Sequence, residues 1–225
     1  MFAEQTFLNL PVKRQQAIIN TAVEEFALKE YESASLSTIV QKLGLAKGSF
    51  YRYFRNKEIL YRYLMNYAIE FRLEKEKDLL QEPVKDFFDL LIENFKAKIK
   101  FDLEYPVLSG FLYNVAHEKN SDELGNIQEY VTMKMMNPLI RILKEKIRQG
   151  QIRDDISPEL MAVHVLQVQH ALYDYLSLIY RIDFRKNIKK KKPVLSLPED
   201  EILKAATGFA LLLKNGLTAP KKKRG

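Results

Sequence analysis

Two short apolar-periodic segments, 35–43 and 47–54, are separated by only Gly44, Leu45 and Ala46. That spacing narrows the folds open to the chain more than any other feature. Ser35 is placed to cap a helix that carries Leu36, Ile39, Val40 and Leu43 on one face, and Gly44 follows where a left-handed residue would end it. A second helix then runs from about Lys47 to Phe54. Upstream, Pro11 suits a first helical position, and Ile18, Ile19, Ala22, Val23, Phe26 and Ala27 form an amphipathic stripe ending near Lys29. Three short helices, the last two joined by a tight glycine turn, describe a helix-turn-helix unit.

On a helical wheel, Phe50 and Phe54 lie one turn apart and point toward the two preceding helices. Gly48, Ser49 and Arg52 lie opposite, with Tyr51 and Tyr53 on the flanks. Small, small, cationic is a face that lets a helix sit deep in a major groove while an arginine reaches base edges or phosphate. The flanking phenols are placed to donate to phosphates or to pack as half-buried rings.

Charge placement agrees. Net charge is +7, concentrated in residues 41–62, in 185–192 (RKNIKKKK) and in the tail 221–224, so the rest of the chain is acidic. Local basicity suits contact with a polyanion at defined places. The tract 185–192 lies between two helices assigned below to dimerisation and is therefore expected away from a DNA-reading face. The PKKKR run at 220–224 has the look of a nuclear localisation signal but reads better as a solvated tail.

Asn56 can cap a fourth helix with the stripe Ile59, Leu60, Tyr63, Leu64, Tyr67, Ala68 and Phe71. Helical pattern continues over 84–101, 104–118, 121–149, 157–182 and 199–215, with no strand signal. The expected fold is all-α, with about nine helices. It divides into a helix-turn-helix domain (1–55), a connecting helix (56–82) and a larger C-terminal helical domain (83–225), to which the resemblance described next assigns effector binding and dimerisation.

The stretch SLSTIVQKLGLAKGSFYRYFRNKEILY (35–61) closely resembles the helix-turn-helix of TetR-type bacterial regulators. The resemblance rests on Ser35, Ile39, Gly44, Gly48, Ser49, Tyr51, Phe54, Lys57, Glu58 and Leu60, and extends upstream to residue 12. It implies that Lys47, Gly48, Ser49 and Arg52 face the groove while Ser35, Tyr51, Tyr53 and Lys57 hold phosphates. Three positions depart from the pattern. Ala46 replaces a capping serine, a loss of ~1 kcal/mol. Glu30 replaces glycine, at ~1 kcal/mol if the backbone there is left-handed. Tyr53 replaces histidine.

The expected function is a repressor that binds a palindromic operator in double-stranded DNA as a homodimer and is released by a small, hydrophobic effector. The stripes Met161, Val168, Leu172, Ile179 and Ile202, Phe209, Leu213 are candidates for pairing across a twofold axis; the alternative is intramolecular core. Candidates for an effector pocket are Phe88, Phe111, Asn114, His117, Met133, His164, Gln167 and His170, polar groups and rings on otherwise apolar helices. An effector-independent DNA organiser and a helical binding or scaffold protein are the competing readings.

Catalysis finds no footing. There are no cysteines, no G-x-S-x-G elbow, no Walker loop and no dinucleotide fingerprint, so no enzyme and no cofactor is expected. The three histidines lack i, i+3 or i, i+4 partners among themselves, which argues against a metal site. No apolar run approaches a membrane span, and MFAEQTFLNLP does not read as a secretory signal, so a cytoplasmic protein is expected.

Overall fold

In the computed structural model, which describes residues 3–79, 86–119 and 121–218, the chain is helical throughout. Among the described residues eleven helices follow in order: α1 (Gln5–Leu8), α2 (Val12–Leu28), α3 (Leu36–Lys42), α4 (Lys47–Tyr51), α5 (Lys57–Leu79), α6 (Phe87–Glu104), α7 (Pro106–His117), α8 (Ile127–Arg148), α9 (Pro158–Ile179), α10 (Phe184–Lys189) and α11 (Glu199–Leu217). The two beyond the expected nine are α1 and α10, each of six residues or fewer and each anchored by a single buried side chain, Phe7 and Ile188. One anchor leaves no period to read.

Boundaries shift where a cap overrides the pattern. Pro11 is the N-cap of α2 rather than its first residue. The pattern from 121 gives helix only from Ile127, because Ser121 and Gly125 pair across a turn and Gly125 has φ of 60°. The tail 221–224 and the expected boundary near residue 82 lie outside the described residues.

The chain forms two compact units. Unit 1 combines Met1–Lys75, Phe101–Gln128 and Phe184–Val194; unit 2 combines Glu76–Lys100, Glu129–Asp183 and Leu195–Gly225. The basic tract therefore packs with the helix-turn-helix, a correction to its expected place among the dimerisation helices. Its anchor Ile188 docks on α2 and α7, and that packing outweighs proximity in sequence.

Unit 1 is built on α2. Its buried face, Ile18, Ile19, Ala22, Val23, Phe26 and Ala27, meets α3 on one side and α7 and α10 on another. Tyr61 of α5 is wholly buried, its ring edge-on to Phe26 (5.0 Å), Tyr31 (5.1 Å) and Phe111 (5.4 Å). Its hydroxyl donates to Glu118 at 3.1 Å, and the same carboxylate oxygen accepts the Tyr31 N–H at 3.1 Å. Burial first, then Glu118, pushes the phenol far above its ordinary value, so it remains a neutral donor. Asn114 of α7 donates its amide to the carbonyls of Phe26 (2.7 Å), Ala27 (3.1 Å) and Lys29 (3.4 Å). Those are carbonyls at the C-terminal end of α2, which the helix itself cannot satisfy.

Unit 2 has its own core, made by Phe87, Phe88 and Leu91 of α6, Leu143 of α8, Met161, Ala162 and Val165 of α9, and Leu213 and Leu217 of α11, with Ile152 between. Ser157 caps α9 by accepting the Leu160 N–H at 3.2 Å, with Pro158 at the first helical position. Asp86 does the same for α6, accepting from Phe88 (2.8 Å) and Asp89 (3.1 Å). Among the described residues no helix is long and apolar enough to cross a membrane.

Candidate nucleic-acid interface

The turn between α3 and α4 closes as the glycine predicts. Gly44 has φ of 61°, its N–H reaches the Gln41 carbonyl (3.1 Å), and the Leu45 N–H reaches that of Val40 (3.1 Å). This pair of bonds defines the Schellman closure and aims α4 away from α3. Ser35 caps α3 by accepting the Thr38 N–H at 3.3 Å, and Asn56 caps α5 by accepting that of Ile59 at 2.8 Å. Ala46 caps α4 without any side-chain bond.

Phe50 and Phe54 are fully buried, as the wheel requires. Phe54 lies 4.8 Å, ring to ring, from Phe7, which also meets Tyr53 (6.3 Å) and Tyr63 (5.4 Å). The segment before α2 thus braces the back of α4, and it supplies the missing C-terminal partners as well. The Thr6 hydroxyl donates to the Arg52 carbonyl, the Glu4 N–H to that of Tyr53 (3.1 Å), and Arg55 pairs with Glu4 (2.6 Å). Sequence reasoning missed this brace; the sole signal was Phe7, an aromatic in the short segment before Pro11.

The opposite face is open. Lys47, Gly48 and Arg52 are exposed, Ser49 is half-buried and Tyr51 is 40% exposed. A Cβ built on Gly48 would touch nothing within 4 Å. No internal packing demands glycine there. Among the described residues neither Lys47 nor Arg52 has a carboxylate within ion-pair distance. Tyr53 is half-buried against Phe7, so of the two phenols Tyr51 is the more accessible.

Lys57 has a structural task. Its ammonium donates to the carbonyls of Tyr31 (2.9 Å), Glu32 (3.4 Å) and Ala34 (3.5 Å) and lies 4.2 Å from the Tyr31 ring centroid, locking the turn that leads into Ser35. Glu30, which opens that turn, is not left-handed, so the expected strain is absent. Its carboxylate accepts from Arg185 of α10 at 3.0 Å, and that guanidinium holds the carboxyl below its ordinary value.

The pocket candidates separate. Phe111, Asn114 and His117 belong to unit 1, while Phe88, Met133, His164, Gln167 and His170 belong to unit 2. Phe88 and Phe111 are buried core, and the Asn114 amide is engaged by α2 carbonyls. His117 is exposed and stacks on Tyr113; Met133, His164 and Gln167 are exposed, and His170 is half-buried. His164 lines a cavity of about 320 Å³ with Ile156, Leu160, Met161 and Leu212. A larger cleft of about 670 Å³ opens in unit 1 among α2, α5 and the start of α7, walled by Ile19, Val23, Phe71, Tyr105 and Leu108 with Gln16 and Asn20 among them.

The dimer candidates separate by exposure. Met161, Leu172, Ile202 and Leu213 are buried in unit 2's own interior and have no surface left to offer; Val168 and Phe209 are half-buried, and Ile179 is 57% exposed. The large apolar residues that α9 and α11 turn outward are Leu160, Val163, Tyr175, Leu178, Ile179, Leu211 and Leu212.

Residues 18–64 match the family model of bacterial regulatory proteins, tetR family. The uncharacterized HTH-type transcriptional regulator YerO of Bacillus subtilis (strain 168) is 31% identical over 78 residues, which is 33% of this chain and 27% of that one. The chain thus spans about a quarter of that relative. The Fatty acid metabolism regulator protein of the same organism is 29% identical over 154 residues, 64% of this chain and 73% of that protein. Among solved structures, a TetR family transcriptional regulator from Chloroflexus aurantiacus J-10-FL superposes with a TM-score of 0.72 at 21% identity, covering 96% of this chain and 98% of the other; at that identity the likeness concerns the fold. The family match covers most of α2, all of α3 and α4 and the start of α5, the helices that carry the open face of Lys47, Gly48 and Arg52, so this segment is similar to the helix-turn-helix of tetR-family bacterial regulators.

Proposed function

We propose that this chain is a sequence-specific DNA-binding transcriptional regulator, a non-enzymatic cytoplasmic repressor. It acts as a homodimer on a palindromic operator and is released by a small hydrophobic molecule. The observation that carries the reading is the outward face of α4, a flat, cationic, unpaired surface held rigid from behind by Phe50, Phe54 and Phe7. Lys47, Gly48, Ser49 and Arg52 enter the major groove; Ser35, Tyr51, Tyr53 and Lys57 border the phosphates. Lys57 does this from a fixed position, since its ammonium is already bound to the turn before Ser35.

One short recognition helix reads too few bases for specificity, so two copies spaced by about one duplex turn (~34 Å) are needed. The outward leucines of α9 and α11 support pairing through that face. The relative named for fatty acid metabolism supports an apolar effector, and cavities of about 670 and 320 Å³ fall in the size range of small-molecule sites. Effector binding shifts α5, alters the spacing of the two recognition helices and weakens the complex.

Selection from a random duplex library identifies the operator. Arg52→Ala is then expected to cost ~1–3 kcal/mol in operator binding, relaxing sequence preference while the thermal melt stays unchanged. A protein that enriches no sequence over random duplex contradicts this function.

A further inference from the structure

Residues 185–192 hold six cations, and they are not a loose tail. Ile188 is buried, its side chain filling the space above Gly110 of α7; a Cβ at Gly110 would come within 2.0 Å of Ile188 Cδ1 and 3.8 Å of Ala27 on α2. Beyond α10 the chain turns back on itself. Lys191 N–H donates to the Ile188 carbonyl (2.8 Å), Lys192 N–H to that of Asn187 (2.9 Å), and the Asn187 amide to that of Val194 (2.9 Å), with Lys191 left-handed at φ of 56°. Lys189, Lys190, Lys191 and Lys192 are exposed, and among the described residues none has a carboxylate within ion-pair distance. Four self-repelling cations on a fixed platform, without internal counter-ions, are poised for an external polyanion.

Their location says which one. Arg185 binds Glu30, the first residue of the turn that receives the Lys57 ammonium and ends at Ser35, the cap of α3. The tract therefore adjoins the same turn as two residues assigned to phosphate. A membrane surface fits less well: the apolar residues beside the lysines, Val194 and Leu195, are buried and have nothing to insert.

We infer that the basic tract is a second DNA-binding surface, with Lys189, Lys190, Lys191 and Lys192 holding backbone phosphates beside the segment read by α4, irrespective of sequence. This rests on the helix-turn-helix reading above. Lysines act here as point charges without bidentate geometry, so they add affinity and on-rate rather than base choice. Glu30 takes part by holding α10 through Arg185, a link that glycine at this position could not make.

The test is fluorescence anisotropy of the full chain on the selected operator and on a random duplex several turns long, with salt varied from about 50 to 200 mM. The variant replaces Lys189, Lys190, Lys191 and Lys192 together by Gln, and Arg52→Ala is run beside it. For the lysine variant, the slope of log affinity against log salt should fall by about 0.9 for each phosphate no longer neutralised, at least about 2 per chain, with binding to both duplexes weakened about tenfold or more. Its preference for operator over random DNA should be retained, whereas Arg52→Ala should lose that preference. An unchanged slope in the lysine variant, with Arg52→Ala still impaired, overturns the second surface and leaves the helix-turn-helix reading standing. A wild-type chain that binds no duplex overturns both. Wild-type binding to phosphatidylserine vesicles, combined with an unchanged DNA slope, assigns the tract to a membrane and also overturns the proposal.

Discussion

At Gly110 one hydrogen atom decides how closely α10 can approach α7. A Cβ there would sit 2.0 Å from Ile188 Cδ1 and 3.0 Å from Cγ1, inside a buried contact. Alanine would otherwise favour the helix by ~0.5–1 kcal/mol, but overpacking of this kind costs ~1–3 kcal/mol. Gly110→Ala is therefore expected to destabilise the protein by about 1 kcal/mol net, seen as a lower urea midpoint. Adding Ile188→Val removes Cδ1 and should recover most of that deficit, since the two sites share one interface. Additive effects would mean that the clash is relieved elsewhere. Other single residues were legible from sequence for a simple reason. Phe50 and Phe54 fall one turn apart, Gly44 ends an apolar stripe, and Ser35 and Asn56 each precede one, so local periodicity alone gives their roles. Lys57 was legible only as a cation; nothing local says that its ammonium caps a turn more than twenty residues upstream.

Between elements, the best-defined joint in unit 1 is where α7 meets the end of α2. Asn114 gives its amide to three carbonyls at once, and Glu118 receives both Tyr31 and Tyr61. Removing Asn114 leaves buried acceptors unpaired, which costs ~1–3 kcal/mol. Asn114→Ala should show that destabilisation in chemical denaturation, and Asn114→Asp should do worse because a carboxylate then faces carbonyl oxygens. If the alanine variant were within about 0.5 kcal/mol of wild type, water would have to replace the amide. This joint gives the Asn114 amide a partner inside the fold. A polar residue on an apolar helix signals a partner, and sequence cannot tell a ligand from a helix end. The long helices were legible because several turns repeat the same stripe. Helices α1 and α10 were not, since each depends on one side chain meeting a remote surface: Phe7 on Phe54, Ile188 on Gly110.

For the molecule as a whole, the question is which surface makes it a dimer. Helix α9 is apolar on more than one side, so its near-heptad stripe could face either the interior or a partner. The inward side took Met161, Leu172 and Leu176, and with them Ile202 and Leu213 of α11. Among the residues that remain outside are Leu178 at 77%, Ile179 at 57%, Leu211 at 57% and Leu212 at 72% exposure, and Leu211 and Leu212 line a groove of about 590 Å³ with Tyr175, Tyr180, Gly208 and Phe209. Large aliphatic side chains this exposed on two helices that pack on each other mark an association surface. In the proposed dimer they form the interface, and a charge among them has no partner once water is excluded. Leu178→Glu with Leu212→Glu is expected to give monomers in sedimentation experiments. The melt of the monomer itself should move little, because both residues are already in water and exposed substitutions change stability by only about 0.5 kcal/mol. Operator binding should fall far more than binding to a single half-site, since the half-site face of α4 is untouched and only the coupling between two copies is removed. A variant that stays dimeric would move the interface off α9 and α11, and one that unfolds would show these leucines to belong to the core.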